Sequence, residues 1–169
     1  QETPWRNGAV PFRVLCLPAR ADRDELAGVM LTQLLQQQGF AAQNGQAKLA
    51  AGELLDLVEK SNVNAACISV VSPSTVIHAR YLCMKLRARF PQLEIVIGLW
   101  DMTQGVAEAA RRLRDSGADE VVTAIGDAVV QFAKHAPTLV EQMMDVKEGA
   151  LDNNLPHHVD ISQAKDDPS

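Results

Sequence analysis

Residues 65–71 read AACISVV. A strand with one wet face alternates apolar and polar residues. An unbroken uncharged run with β-branched members suits a strand covered on both faces, as in a parallel sheet between two helical layers. Two other runs share this character: RVLCLPA (13–19) before it and EIVIGLW (94–100) after it. A shorter one, EVVTA, follows at 120–124. The segment AAQNGQ (41–46) is polar and contains Gly45, which suits a strand at the sheet edge.

Helical patterns fill the intervals. After the first run, Asp22 or Asp24 caps a helix that Gly39 ends. Its apolar positions Leu26, Val29, Met30, Leu34 and Leu35 keep helical spacing. A second helix is expected near 50–60, with Leu54, Leu55, Leu57 and Val58 on its apolar side. SPST (72–75) forms a turn and helix start. The helix at 75–89 turns Val76, Ala79, Leu82, Cys83 and Leu86 inward and carries Arg80, Lys85, Arg87 and Arg89 elsewhere. Asp101 or Thr103 opens a fourth helix running to Ser116, and a fifth occupies 126–135. Five strands alternating with five helices describe an α/β fold. Right-handed crossovers give a doubly wound, flavodoxin-like parallel sheet in the order 2-1-3-4-5, with the polar second strand at one edge.

The boundaries follow from composition. Residues 1–11 are a loose lead-in, 12–136 the flavodoxin-like domain, 137–149 an extra helix and 150–169 a flexible acidic tail. The chain has 169 residues and a net charge of −5, and all of that excess lies in 137–169; residues 1–136 hold fourteen bases and fourteen acids. Such a balance, with only 4% aromatic residues, is not that of a nucleic-acid binder. No stretch of 18 apolar residues and no leader pattern are present, and a start at Gln1 rather than Met points to a fragment. Cys16, Cys67 and Cys83 show no CxxC spacing, and Cys16 and Cys67 sit inside apolar runs, so reduced thiols in a cytosolic setting and no metal site are expected.

In an open α/β sheet ligands bind beyond the carboxyl ends of the strands, where the strand order reverses. That places the candidate ligand-binding residues at Arg20, Asp22 and Asp24 after the first strand, at Ser69, Ser72, Ser74, Thr75 and His78 around the third, and at Trp100 after the fourth. Diverging loops at 18–24 and 69–78 would leave a crevice, with Arg20 facing an anion and Trp100 as a plug or apolar wall. Each residue also has a plain structural use: Asp22 or Asp24 as helix cap, Ser72, Ser74 and Thr75 as turn, His78 as surface histidine. No catalytic group is expected. A phosphoryl-accepting receiver needs an Asp at the end of the third strand and a Lys after the fifth, where this chain has Ser69–Ser72 and Ala124–Ile125. The loop PARADRDE (18–25) has no glycine with which to wrap a phosphate, and an acid already stands at the helix start. No cofactor is therefore expected.

Two resemblances add to this. The layout is similar to the cobalamin-binding fold, whose D-x-H-x-x-G motif is matched by Asp22-Arg23-Asp24-Glu25-Leu26-Ala27. Asp24 stands where that family has its cobalt-ligating His and Ala27 where it has Gly. Ser69 matches the family's serine, and its paired glycines are reduced to Gly98 followed by Leu99 and Trp100. The architecture is retained and the ligand chemistry is not. The strings VLCLPARADRDELAGVMLTQLL and CISVVSPSTVIHARYLCMKLRARFPQLEIVIGLW, above all HARYLCMKLR (78–87) and IVIGLW (95–100), resemble the soluble C-terminal domain of bacterial permeases of the autoinducer-exporter-like family. That resemblance implies a non-catalytic regulatory, sensor or interaction domain, attached to a membrane permease on the cytoplasmic side of the bacterial inner membrane. A homodimer and a small-molecule ligand are further expected partners. A small-molecule-binding accessory domain of cobalamin-binding ancestry is the alternative.

Overall fold

A computed structural model describes residues 11–135. The lead-in, except Pro11, and the whole stretch from 136 onward, including the expected helix and acidic tail, lie outside the described residues. Five parallel strands, β1 (Arg13–Pro18), β2 (Ala41–Asn44), β3 (Ala65–Val70), β4 (Glu94–Leu99) and β5 (Glu120–Val122), form one sheet in the order β2-β1-β3-β4-β5. They alternate with α1 (Asp22–Gln37), α2 (Ala51–Ser61), α3 (Val76–Arg89), α4 (Val106–Asp115) and α5 (Ile125–Ala133). This is the flavodoxin-like topology expected from the sequence, with the polar β2 at the edge.

The continuous apolar strands are explained by two cores. Leu15, Leu17, Ala66, Ile68, Val70, Ile95, Ile97 and Leu99 point to the layer of α2, α3 and α4. The residues between them, Val14, Cys16, Ala65, Cys67 and Val96, point to α1 and α5 with Leu31, Leu35, Ala128 and Phe132. Because successive side chains face opposite sides, a strand covered on both sides has no solvent-facing position, and Ser69 is the one polar residue within β3.

Two helices depart from expectation. In α1 the buried residues are Asp24, Ala27, Gly28, Leu31, Thr32 and Leu35, whereas Leu26, Val29, Met30 and Leu34 are exposed. The face with the smaller residues is the inner one because α1 lies close to the sheet. A Cβ on Gly28 would sit 2.3 Å from the Asn44 Oδ1 of β2, so a side chain there would have to turn the Asn44 amide aside. The fourth helix begins at Val106 rather than near Asp101 or Thr103. Asp101 has φ 60° and Gly105 φ 67°, so the chain makes two left-handed turns before the helix can start.

Arg87 ties the lower ends of the layers together. Its guanidinium donates to the carbonyls of Gly117, Pro91 and Leu93 and to Asp119, 2.7 Å away, whose carboxylate also accepts the Ile95 N–H. One of the exposed-face arginines of the sequence reading is thus a fixed strut.

Candidate functional site

The carboxyl ends of β1 and β3 are adjacent in register, Pro18 opposite Ser69. The chain leaves β1 through Ala19, whose N–H donates to the Ser69 carbonyl at 3.0 Å. It then enters α1 through Ala21, an extended N-cap whose methyl cannot accept a hydrogen bond. Asp24, three residues on, performs the capping instead. Its Oδ2 accepts the N–H of Arg20 at 3.0 Å and of Ala21 at 2.9 Å. Its Oδ1 accepts the Val71 N–H from beyond β3 at 2.8 Å, with the Thr75 hydroxyl at 3.4 Å. The carboxylate is wholly buried. An internal anion therefore occupies the start of α1, where backbone N–H groups and the helix dipole favour negative charge.

This corrects the geometry expected of the crevice. The loops at 18–24 and 69–78 do not diverge; Asp24 and the Ala19–Ser69 bond stitch them together. The remaining site residues fall into three groups. Ser69 and Thr75 are buried, and the Thr75 hydroxyl donates to the Ser72 carbonyl at 3.0 Å. Ser72 and Ser74 lie near the surface with their hydroxyls 2.9 Å apart, closing a 3₁₀ turn over Pro73–Thr75. Asp22 is exposed while Asp24 is buried, so the two carboxylates do not converge as a metal pair would. Among the described residues no cluster of His, Cys, Asp and Glu could hold a metal ion.

Arg20 and His78 do come together. They line a cavity of about 170 Å³ with Pro18, Leu49, Tyr81 and Leu82, between the end of β1, the start of α2 and α3. Its lining mixes aliphatic side chains with a guanidinium, an imidazole and the Tyr81 phenol. Sequence reasoning placed both residues correctly at the switch point, but not the contribution of α2, whose approach depends on the turn after β2.

Trp100 is not a wall of that cavity. It lies on the opposite side of the sheet, in the core with Val14, Cys16, Val96 and Phe132. Its indole covers Gly98, where a Cβ would sit 1.9 Å from the ring. The plug reading of the sequence describes this position; the apolar-wall reading does not. Trp100 Nε1 and the Ser69 Oγ are buried without a hydrogen-bond partner among the described residues. Burial pushes the Cys16 thiol up to about 11 and the Cys67 thiol well above the ordinary range. Cys83 is also pushed up to about 11, by burial first. At neutral pH all three are protonated, without nucleophilic thiolate.

A second groove, missed in the sequence, runs between α3 and α4, with a volume of about 430 Å³. Val76, Ile77, Met102 and Leu113 form its apolar lining, with Arg80, Gln104 and the Glu108–Arg112 ion pair at its polar positions. Arg80 donates to the Ser116 hydroxyl across the groove at 3.1 Å. The only sequence signal was the lack of acids on α3.

No family model matches the chain, and no curated protein matches it. Solved structures with the same fold do. A cobalamin-binding protein from Desulfitobacterium hafniense DCB-2 superimposes with a TM-score of 0.62 at 17% identity, over 73% of this chain and 58% of that one. This chain thus spans little more than half of that protein. A CheY-like protein (tadZ) from Pseudomonas aeruginosa PAO1 matches with a TM-score of 0.56 at 17% identity, over 77% of this chain and 97% of that one. The receiver domain of NtrX from Brucella abortus gives 0.53 at 14% identity, over 73% and 96%. At these identities the likeness is one of fold. No helix among the described residues is long and apolar enough to cross a membrane.

Proposed function

We propose that this chain is a non-catalytic binding and regulatory domain that acts on an attached membrane permease from the cytoplasmic side. The observation that carries the non-catalytic part is Asp24. At the position where related folds place ligand or phosphoryl chemistry, this chain puts its own carboxylate and uses it to close the two loops. The thiols are buried and protonated, and Asp24 is buried while Asp22 is exposed, which supports a reading built on binding rather than on a thiolate or a carboxylate pair. What the site offers is recognition: Arg20, His78 and Tyr81 beside aliphatic side chains in a cavity sized for a small polar or zwitterionic molecule or a protein side chain. The permease partner rests on the segments 78–87 and 95–100, which resemble the soluble domain of autoinducer-exporter-like permeases.

The alternative, a small-molecule-binding accessory domain of cobalamin-binding ancestry, has the fold in its favour. Against a corrinoid as its ligand stand Asp24 in place of an imidazole and the Trp100 indole over Gly98. The test is Arg20→Ala against the exposed control Arg111→Ala, which lines neither groove, in the full-length transporter. Both should express; only the Arg20 change should alter transport, and only it should abolish a thermal shift found in a metabolite screen of the soluble chain. If Arg20→Ala changes neither, the cavity is not the functional site. A red, stoichiometric complex after incubation with hydroxocobalamin would favour the alternative.

A further inference from the structure

Helix α1 is apolar on two sides. Its inner face, Ala27, Leu31 and Leu35, is buried against the sheet. Its outer face carries Leu26, Val29, Met30 and Leu34, exposed by 62%, 36%, 51% and 40%. These positions are three and four residues apart, so they form one stripe along the helix. On α5, in the same layer, Val130 is 61% exposed. A helix at the surface of a monomer normally alternates an apolar face with a charged one, and one that is apolar all round belongs in an interior.

The second observation is charge. From Leu26 to Phe40 the sequence has no Asp, Glu, Lys or Arg, and the polar side chains are Thr32 and the glutamines Gln33, Gln36, Gln37 and Gln38. The charged residues of α1, Asp22, Arg23, Asp24 and Glu25, are confined to its first turn, before this stripe begins. A two-fold interface sets each patch against a copy of itself, so any charge on it meets its like unless it is offset. A neutral face avoids that repulsion. Glutamine amides suit such a rim because each donates and accepts, so two copies can hydrogen-bond one another.

We propose that the outer face of α1, centred on Leu26, Met30 and Leu34, is the surface through which two copies of this chain associate about a two-fold axis. The α1 helix, at ~1.5 Å rise per residue, is ~24 Å long. Paired with the same helix of a second copy and flanked by α5, it gives a footprint below the ~800 Å² per partner of a standard stable interface. The dimer is accordingly weak, with a dissociation constant on the order of tens of micromolar, and is strengthened when two copies are held on one surface.

The experiment is sedimentation velocity of the 169-residue chain from 5 to 500 micromolar, written as roughly two decades of concentration around that constant. The weight-average mass should rise towards that of a dimer. Met30→Glu should hold the protein monomeric across the range, with an unchanged circular dichroism spectrum and an unchanged melting temperature at the lowest concentration. Ile77→Glu, which places the same charge on the exposed apolar position of α3, should dimerise like the parent. A chain that stays monomeric at the highest concentration overturns the proposal. Dimerisation abolished by Ile77→Glu and untouched by Met30→Glu overturns it in favour of α3. Because none of these residues lines the Arg20–His78 cavity, the outcome is independent of the ligand-binding reading above.

Discussion

Replacing Asp24 by Ala removes the acceptor for three backbone N–H groups, those of Arg20, Ala21 and Val71, at 2.8–3.0 Å. These bonds are charge-assisted, and mutational series give ~1.5–3 kcal/mol for each hydrogen bond to a charged group. The three share one side chain and do not add. Part of the loss is also recovered, because the alanine variant no longer buries a carboxylate and water can reach some of the freed donors. The expected net destabilisation is about 3–5 kcal/mol, from three N–H donors left without their acceptor at ~1–3 kcal/mol each, less what water recovers. Against the ~5–15 kcal/mol of a whole domain this is a large fraction, and at roughly 4 °C per kcal/mol for a domain of this size the melting temperature should fall by ~12–20 °C. Asp24→Asn keeps the shape but turns an NH₂ towards some of the same donors, so it should cost at least ~2 kcal/mol. The exposed Asp22→Ala should stay within ~0.5 kcal/mol. Urea denaturation followed by circular dichroism and tryptophan fluorescence measures all three. Asp24→Ala within ~1 kcal/mol of the parent would refute the reasoning, because the loops would then be held together by something other than this carboxylate.

Two other predictions come from the buried face of the sheet. Gly98→Ala should destabilise by ~1–3 kcal/mol through overpacking against the Trp100 indole and should shift tryptophan emission to the red; combining it with Trp100→Leu should recover part of the loss, and strict additivity of the two changes would show that they are not in contact. Stability should fall as pH rises from about 9 towards 11: the unfolded Cys16 thiol ionises near 9.0 and the folded one only near 11, so over that window the native state holds more protons than the unfolded one, at ~3 kcal/mol in full. The Cys16→Ala variant should show a shallower alkaline decline than the parent in denaturant titrations, and equal slopes would count against the buried-thiol account.

The candidate site was legible in proportion to how local its determinants are. Arg20, His78 and the serines of the 72–75 turn were placed by topology, because residues just after parallel strands must lie at the carboxyl edge. Asp24 was readable as a cap, since an acid in the first helical turn meets unsatisfied N–H groups wherever the helix ends up. That it also reaches the Val71 N–H, 47 residues away, depends on β1 and β3 being neighbours in register. The role of Trp100 depended on side: residues after a strand alternate between faces, and the residue directly after β4 points to α1 and α5, away from the Arg20–His78 cavity.

The sequence by itself determined the five strands, their order and the edge position of β2, because unbroken apolar runs can be buried only between two layers and a polar strand only at a border. It also determined that α1 is a helix. It could not determine which side of α1 faces inward, since two apolar stripes were available and helical spacing fits both. Tertiary structure decided that through proximity: the small Ala27 and Gly28 let the helix lie close to the sheet, and Asp24 on the same face reaches the Val71 N–H beyond β3, which leaves the larger Leu26, Met30 and Leu34 outside.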